Sequence, residues 1–162
     1  VTQPLRAGAA LPWEGKVAQR MLLRVVMSKT IPSVRKFMTT SPFTVEPAAV
    51  LAEAHNLMRE KHIRHLPVCE GVRVVGMLSD GDLYRAEAVN GADANKISIK
   101  DVMTAKPYTV SPEAPIDEVV KEMADKKFGS AVVVDNGKVV GMFTATDALS
   151  AFAELLQTRL KH

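Results

Sequence analysis

Two four-residue stretches, Ser79-Asp80-Gly81-Asp82 and Thr144-Ala145-Thr146-Asp147, place a hydroxyl three residues before a carboxylate. Each follows a β-branched apolar run and opens a helical pattern. At such a junction the first backbone N–H groups have no partner inside the helix and lie at the positive end of its dipole, so an anion is favoured. A Ser or Thr hydroxyl can add a hydrogen bond to a phosphate oxygen. A carboxylate three residues on can accept both hydroxyls of a sugar. The same spacing also serves the helix itself, as a capping-box-like start. For one motif in isolation, capping is the stronger reading.

The other reactive side chains do not assemble a site. His55, His62 and His65 fall close together with Cys69 nearby, but they lack the His-x-x-x-His spacing of a zinc helix, and no metal is expected. Cys69, within an apolar run, reads as a small buried hydrophobe and not as a nucleophile. There is no Walker-type phosphate loop. The chain is therefore not expected to be an enzyme.

Bulk properties narrow the setting. A lone cysteine excludes an internal disulfide and points to a reducing, cytoplasmic compartment. No apolar stretch approaches the ~20 residues that span a bilayer. The net charge of +3 resides in residues 1–26, where Arg6, Lys16, Arg20 and Arg24 oppose Glu14 alone, and the rest of the chain balances. The body carries no global field, so neither a nucleic-acid nor a membrane partner is expected. Residues 1–26 have no convincing period. They read as a non-native or upstream-translated extension ahead of Met27, with a disordered arm and a transit peptide as the other readings.

The elements that must position the two motifs come from a duplication. Sliding the sequence by 65 residues leaves 16 of the 50 positions from 34 to 83 identical without a gap. Chance identity is about 6%. Met38-Thr39 falls on Met103-Thr104, Thr44-Val45 on Thr109-Val110, and Val74-Val75-Gly76-Met77 on Val139-Val140-Gly141-Met142. Each copy reads β-α-β-β-α. A short strand at 43–45 or 108–110 leads to a helix starting at Glu46-Pro47 or Ser111-Pro112. Val50, Ala54, Leu57 and Met58 share one face of the first helix; Ile116, Val119, Val120 and Met123 share one face of the second. Strands at 66–69 and 72–78 flank a turn at Glu70-Gly71. Strands at 131–134 and 139–143 flank Asp135-Asn136-Gly137, where Asn-Gly signals a hairpin. Final helices begin near Asp80 and Ala145, the first ending around Asn90-Gly91. One copy is too small to bury much of its surface. Two copies packed sheet to sheet about a pseudo-twofold axis give one α+β (α/β) module, with halves at 34–90 and 99–156 and a cleft between them.

The ordered set Phe37-Met38-Thr39, Ile63-Arg64-His65-Leu66-Pro67-Val68 and Val75-Gly76-Met77-Leu78-Ser79-Asp80-Gly81-Asp82 recurs as Asp101-Val102-Met103-Thr104, Phe128-Gly129-Ser130-Ala131-Val132-Val133 and Val140-Gly141-Met142-Phe143-Thr144-Ala145-Thr146-Asp147. This set resembles the CBS-domain (cystathionine beta-synthase domain) family over about residues 34–153. The resemblance implies a CBS pair, or Bateman module, that binds AMP, ADP, ATP or S-adenosylmethionine in one or both clefts as a regulatory ligand, with no catalytic cofactor. It implies control of a partner protein, here in trans, because no effector domain is evident.

By family position Phe43, Thr44 and Val45 with His65, Leu66 and Pro67 line one cleft. Tyr108, Thr109 and Val110 with Ser130, Ala131 and Val132 line the other. The Val, Leu and Pro side chains among them are expected in the core, leaving their backbone for contacts. Lys106 and Arg64 could reach phosphates but read as solvated charges. Within the repeat the ligand reading overtakes capping for Asp147, together with Thr144 and Thr146; for Ser79 and Asp82 both stay open. Asp80 adds a carboxylate to the first motif. Like-charge repulsion then predicts that phosphorylated nucleotide prefers the Asp147 cleft, and that the Asp82 cleft is empty or takes a less anionic ligand such as S-adenosylmethionine. Leu149, Phe152, Leu156 and Leu160 offer an apolar face for a homodimer. A ligand-free interaction scaffold is the rival reading.

Overall fold

The computed structural model describes residues 31–90 and 93–159. The readings made of residues 1–26, of Gly91 and of Leu160 lie outside these residues. The unit that carries the repeats begins at Pro32. After a 3-10 turn (Val34–Lys36), its elements are β1 (Thr39–Thr40), α1 (Leu51–Lys61), β2 (His65–Glu70), β3 (Arg73–Ser79) and α2 (Asp80–Asn90). The second copy contributes α3 (Ile99–Val102), β4 (Thr104–Ala105), β5 (Thr109–Val110), α4 (Ile116–Lys126), β6 (Ser130–Asp135), β7 (Lys138–Thr144) and α5 (Ala145–Arg159). No helix among the described residues is long and apolar enough to cross a membrane.

Both hairpins form where the turn residues place them. Asn136 and Gly137 have φ of 49° and 77°, and two successive left-handed residues are what a type I′ turn requires. Gly71 supplies the single positive φ of the other turn, 62°. The antiparallel pairs β2–β3 and β6–β7 slip register at equivalent points, between Val68 and Cys69 and between Val133 and Val134.

The two copies are not laid side by side; they exchange their leading segments. The sheets run β2-β3-β4 and β1-β7-β6-β5. Thus β1, from the first copy, pairs with β7 of the second, and β4, from the second, pairs with β3 of the first. The exchange also caps the amphipathic helices. Leu51 and Ala52 at the start of α1 donate their N–H groups to the carbonyls of Ile97 and Ala94, and Ile116 at the start of α4 donates to Pro32. These donors would otherwise be orphaned.

Two expectations need correction. The strand expected at 43–45 reduces to Val45, which makes an isolated parallel bridge to Val68. The helices expected from Pro47 and Pro112 begin at Leu51 and Ile116, with Val50 and Pro115 as N-caps. The cause is local. The carbonyls of Pro47 and Ala49 are taken by the N–H groups of Lys100 and Ile99, and Ser98 Oγ donates to Pro47 O. In the second copy Ser111 Oγ accepts the Glu113 N–H in a turn, and Ala114 precedes a proline, which disfavours helical geometry. The buried face of α1 is accordingly Leu51, Ala54 and Met58, and that of α4 is Val119 and Met123.

Burial follows the exchange. Leu51, Leu66, Val68, Leu78 and Leu83 pack with Ile99, which comes from the second copy. Val119, Met123, Ala131, Val133 and Phe143 pack with Val34, which comes from the first. A third cluster of Met77, Val132 and Met142 joins the two sheets.

Candidate functional site

The two Ser/Thr-x-x-Asp motifs stand where β3 runs into α2 and β7 into α5, and their cores are superposable bond for bond. Thr144 donates its N–H (2.8 Å) and its hydroxyl (2.7 Å) to Asp147 Oδ2, and the Asp147 N–H donates back to Thr144 Oγ1 (3.2 Å). Ser79 and Asp82 repeat these three bonds at the same lengths. Each motif is thus a reciprocal helix cap, and each hydroxyl proton is directed to its own carboxylate.

The residues beyond the caps differ. In the first junction Asp82 Oδ1 is held by the Arg85 guanidinium, and Asp80 Oδ1 accepts the Gly81 N–H at 2.8 Å. In the second, Ser150 stands at the place of Arg85 and turns its hydroxyl to Thr146 O, while residue 145 is alanine and offers the Thr146 N–H no acceptor. Among the described residues Asp147 Oδ1 has no partner. The like-charge argument drawn from Asp80 is therefore offset: with Asp80, Asp82 and Arg85 counted together, the first junction carries the same formal −1 as Asp147 alone.

Around the second junction the structure gathers most of the expected residues at one end of the four-stranded sheet. Ser130 pairs in register with Thr144, Gly129 O accepts the Ala145 N–H, Thr109 pairs with Val132, and Tyr108 O accepts the Val132 N–H. Thr144, Asp147, Ser130, Tyr108 and Val110 are half-buried, and Thr109 and Thr146 are exposed. Ala131 and Val132 are fully buried and can offer only backbone. Tyr108 stacks on Phe128, centroids 5.3 Å apart, a pair that sequence reasoning missed. Burial, with lesser help from Glu122 and Glu118, pushes the Tyr108 phenol up.

Around the first junction His65 pairs in register with Ser79, and Arg64 O accepts the Asp80 N–H. Val45 bridges Val68 by way of Pro67 O, Leu66 and Pro67 are fully buried, and Thr44 and Phe43 are exposed, with Lys61 over the Phe43 ring. Arg64 and Lys106 are exposed. The His65 ring crosses to the other half: a Cβ on Gly129 would stand 3.0 Å from its Nε2. Burial holds this imidazole below its ordinary range, against the pull of Asp80 and Asp82 and with the help of Arg64. Cys69 is buried and its thiol is pushed up by that burial. His55 lies 3.6 Å from a Glu87 oxygen, and among the described residues no three His, Cys, Asp or Glu side chains are placed to hold a metal ion.

The family model described as CBS domain matches twice in tandem, over residues 34–89 and 99–154. The chain belongs to the CBS-domain family. The inosine-5'-monophosphate dehydrogenase of Korarchaeum cryptofilum is 36% identical over 137 residues, which is 84% of this chain but 28% of that protein. Among solved structures, the CBS domain pair of protein MJ0100 in complex with 5'-methylthioadenosine and S-adenosyl-L-methionine is 28% identical with a TM-score of 0.71, covering 77% of this chain and 98% of that one. CBSX2 from Arabidopsis thaliana, solved in complex with AMP, is 26% identical with a TM-score of 0.65, covering 76% and 98%. The two repeats of this molecule fold as a CBS pair.

Proposed function

We propose that this CBS pair is a non-catalytic sensor that binds an adenosyl ligand (AMP, ADP, ATP or S-adenosylmethionine) at the seam between its halves, and thereby controls a partner protein in the cytoplasm. The observation that carries the reading is the second junction. There a half-buried carboxylate keeps one oxygen open, beside the N-terminus of a fifteen-residue helix and an aromatic pair. The two similar pairs solved with AMP and with S-adenosylmethionine support the ligand class. The test is calorimetry and thermal shift with AMP, ATP and S-adenosylmethionine. A ligand at about 100 times its Kd stabilises the fold by about 2.7 kcal/mol. Asp147→Ala should weaken binding by about tenfold to a hundredfold, the worth of a hydrogen bond to a charged group, and Asp82→Ala by less than about threefold. Asp147→Asn, which keeps an acceptor for the cap, separates lost binding from a frayed helix. Equal effects of the two alanine variants would overturn the assignment.

A second reading, a ligand-free scaffold, is favoured by one observation: both carboxylates already serve their own helix caps. The exposed apolar side chains of α5 support association with a second copy under either reading. The scaffold reading predicts that none of the three ligands raises the melting temperature.

A further inference from the structure

The first junction differs from the second in two substitutions that act together. Asp80 places a carboxylate oxygen on the Gly81 N–H, the backbone donor that an incoming phosphate would use. Arg85 places a guanidinium on Asp82 Oδ1, the acceptor that a ribose hydroxyl would use. The guanidinium folds back over the start of α2, its Nη1 3.5 Å from where a Cβ at Gly81 would stand. In the second copy the same three positions hold Ala145, Thr146 and Ser150, which supply neither the anion nor the cation.

We propose that Asp80 and Arg85 are internal stand-ins for the ligand, an anion on the phosphate donor and a cation on the sugar acceptor, and that they make the module a single-site sensor loaded only at Asp147. This rests on the functional reading above. The selectivity does not come from net charge, which is equal at the two junctions. It comes from occupancy: a nucleotide entering the first junction must displace two intramolecular partners, whereas at the second it meets an open acceptor. Arg85 is three residues after Asp82 on the same helix, a spacing at which the two side chains are neighbours on the helix surface. Each stand-in has its own signature. Removing Asp80 should favour only phosphorylated ligands. Removing Arg85 should favour adenosine, which has no phosphate, as well as AMP.

The experiment is calorimetric titration of the full chain with AMP, adenosine and S-adenosylmethionine, on wild type, Asp80→Ala/Arg85→Ser and Ala145→Asp/Ser150→Arg, each checked for folding by thermal melting. Wild type should bind about one AMP per chain and Asp80→Ala/Arg85→Ser about two. Ala145→Asp/Ser150→Arg should lose about tenfold or more in affinity, the worth of one charge-assisted hydrogen bond. A folded Asp80→Ala/Arg85→Ser that still binds one AMP, or a wild type that fills two equal sites, overturns the inference while leaving the adenosyl reading intact. If no ligand binds to any of the three proteins, the adenosyl reading itself fails and this inference with it. A wild type that binds none beside an Asp80→Ala/Arg85→Ser that binds one supports the stand-ins and removes the role given to Asp147.

Discussion

His65 and Gly129 illustrate how the two copies diverge in complementary ways. The imidazole needs space across the seam, and it finds it where the second copy has glycine in place of Arg64. Burial there disfavours protonation, Asp80 and Asp82 resist that effect, and Arg64 reinforces it. Between the lowered value and the ordinary imidazole value of about 6.5, the unfolded chain binds more protons than the folded one. Stability from this residue is therefore complete above about pH 6.5 and is lost as the pH falls towards the folded value. Thermal melting between about pH 8 and about pH 5 should show the midpoint falling on the acid side. His65→Ser, which installs the residue that the second copy carries at 130, should flatten that fall. A slope unchanged by the substitution would assign the acid loss to other groups. This contact was not legible in the sequence. Both residues were visible in the repeat, but repetition reveals what the copies share, and the contact depends on where they differ. Arg85 is hidden for the same reason, since its effect appears only when Ser150 is set beside it.

At the level of elements, the exchange explains why the Met-Thr and Val-Val-Gly motifs travel together. Met38, ahead of β1, lies against Gly141 of β7, and Met103, ahead of β4, lies against Gly76 of β3. The thioether of one copy thus fills the space above the glycine of the other, and the short strand can pair closely. A Cβ on Gly141 would stand 2.5 Å from Met38 Sδ and 3.1 Å from the backbone oxygen of Thr39. Gly141→Ala should cost about 1–3 kcal/mol in urea denaturation, as overpacking does. Combined with Met38→Ala, it should cost less than the two changes summed, because the truncated side chain vacates the clash. Strict additivity would show that the strand and not the side chain is the obstacle. The hairpins and the β-α-β-β-α order were readable because turn residues and apolar periods are local signals. The exchange was not, because the sequence of Val34 or Ile99 says that it is buried but not in which half. The helix starts are hidden for a related reason: Pro47 and Pro112 have the sequence of first-turn residues, yet the carbonyls and turns around them are claimed by segments about 50 residues away or by the second proline.

For the whole molecule the remaining question is what covers α5. Leu149 is 69% exposed and Phe152 56%, with Leu155 and Leu156 also exposed on the same helix. Single exposed apolar residues are ordinary, but four within eight positions of one helix form a contiguous patch of the kind that marks an association surface. A second copy is the economical occupant, because a twofold axis through such a patch buries it against itself and leaves no open edge for further growth. Light scattering on the purified chain should give a dimer mass, and Leu149→Glu/Phe152→Glu should give a monomer by placing charges where the partner helix packs. The same variant should keep AMP affinity within about threefold, since Leu149 and Phe152 lie beyond Asp147 and outside the cap geometry at Thr144. A monomeric wild type would leave the patch to a different protein. A dimeric double variant would move the interface elsewhere. Loss of AMP binding together with the dimer would mean that ligand and second copy share the start of α5, and that assembly itself belongs to the sensing.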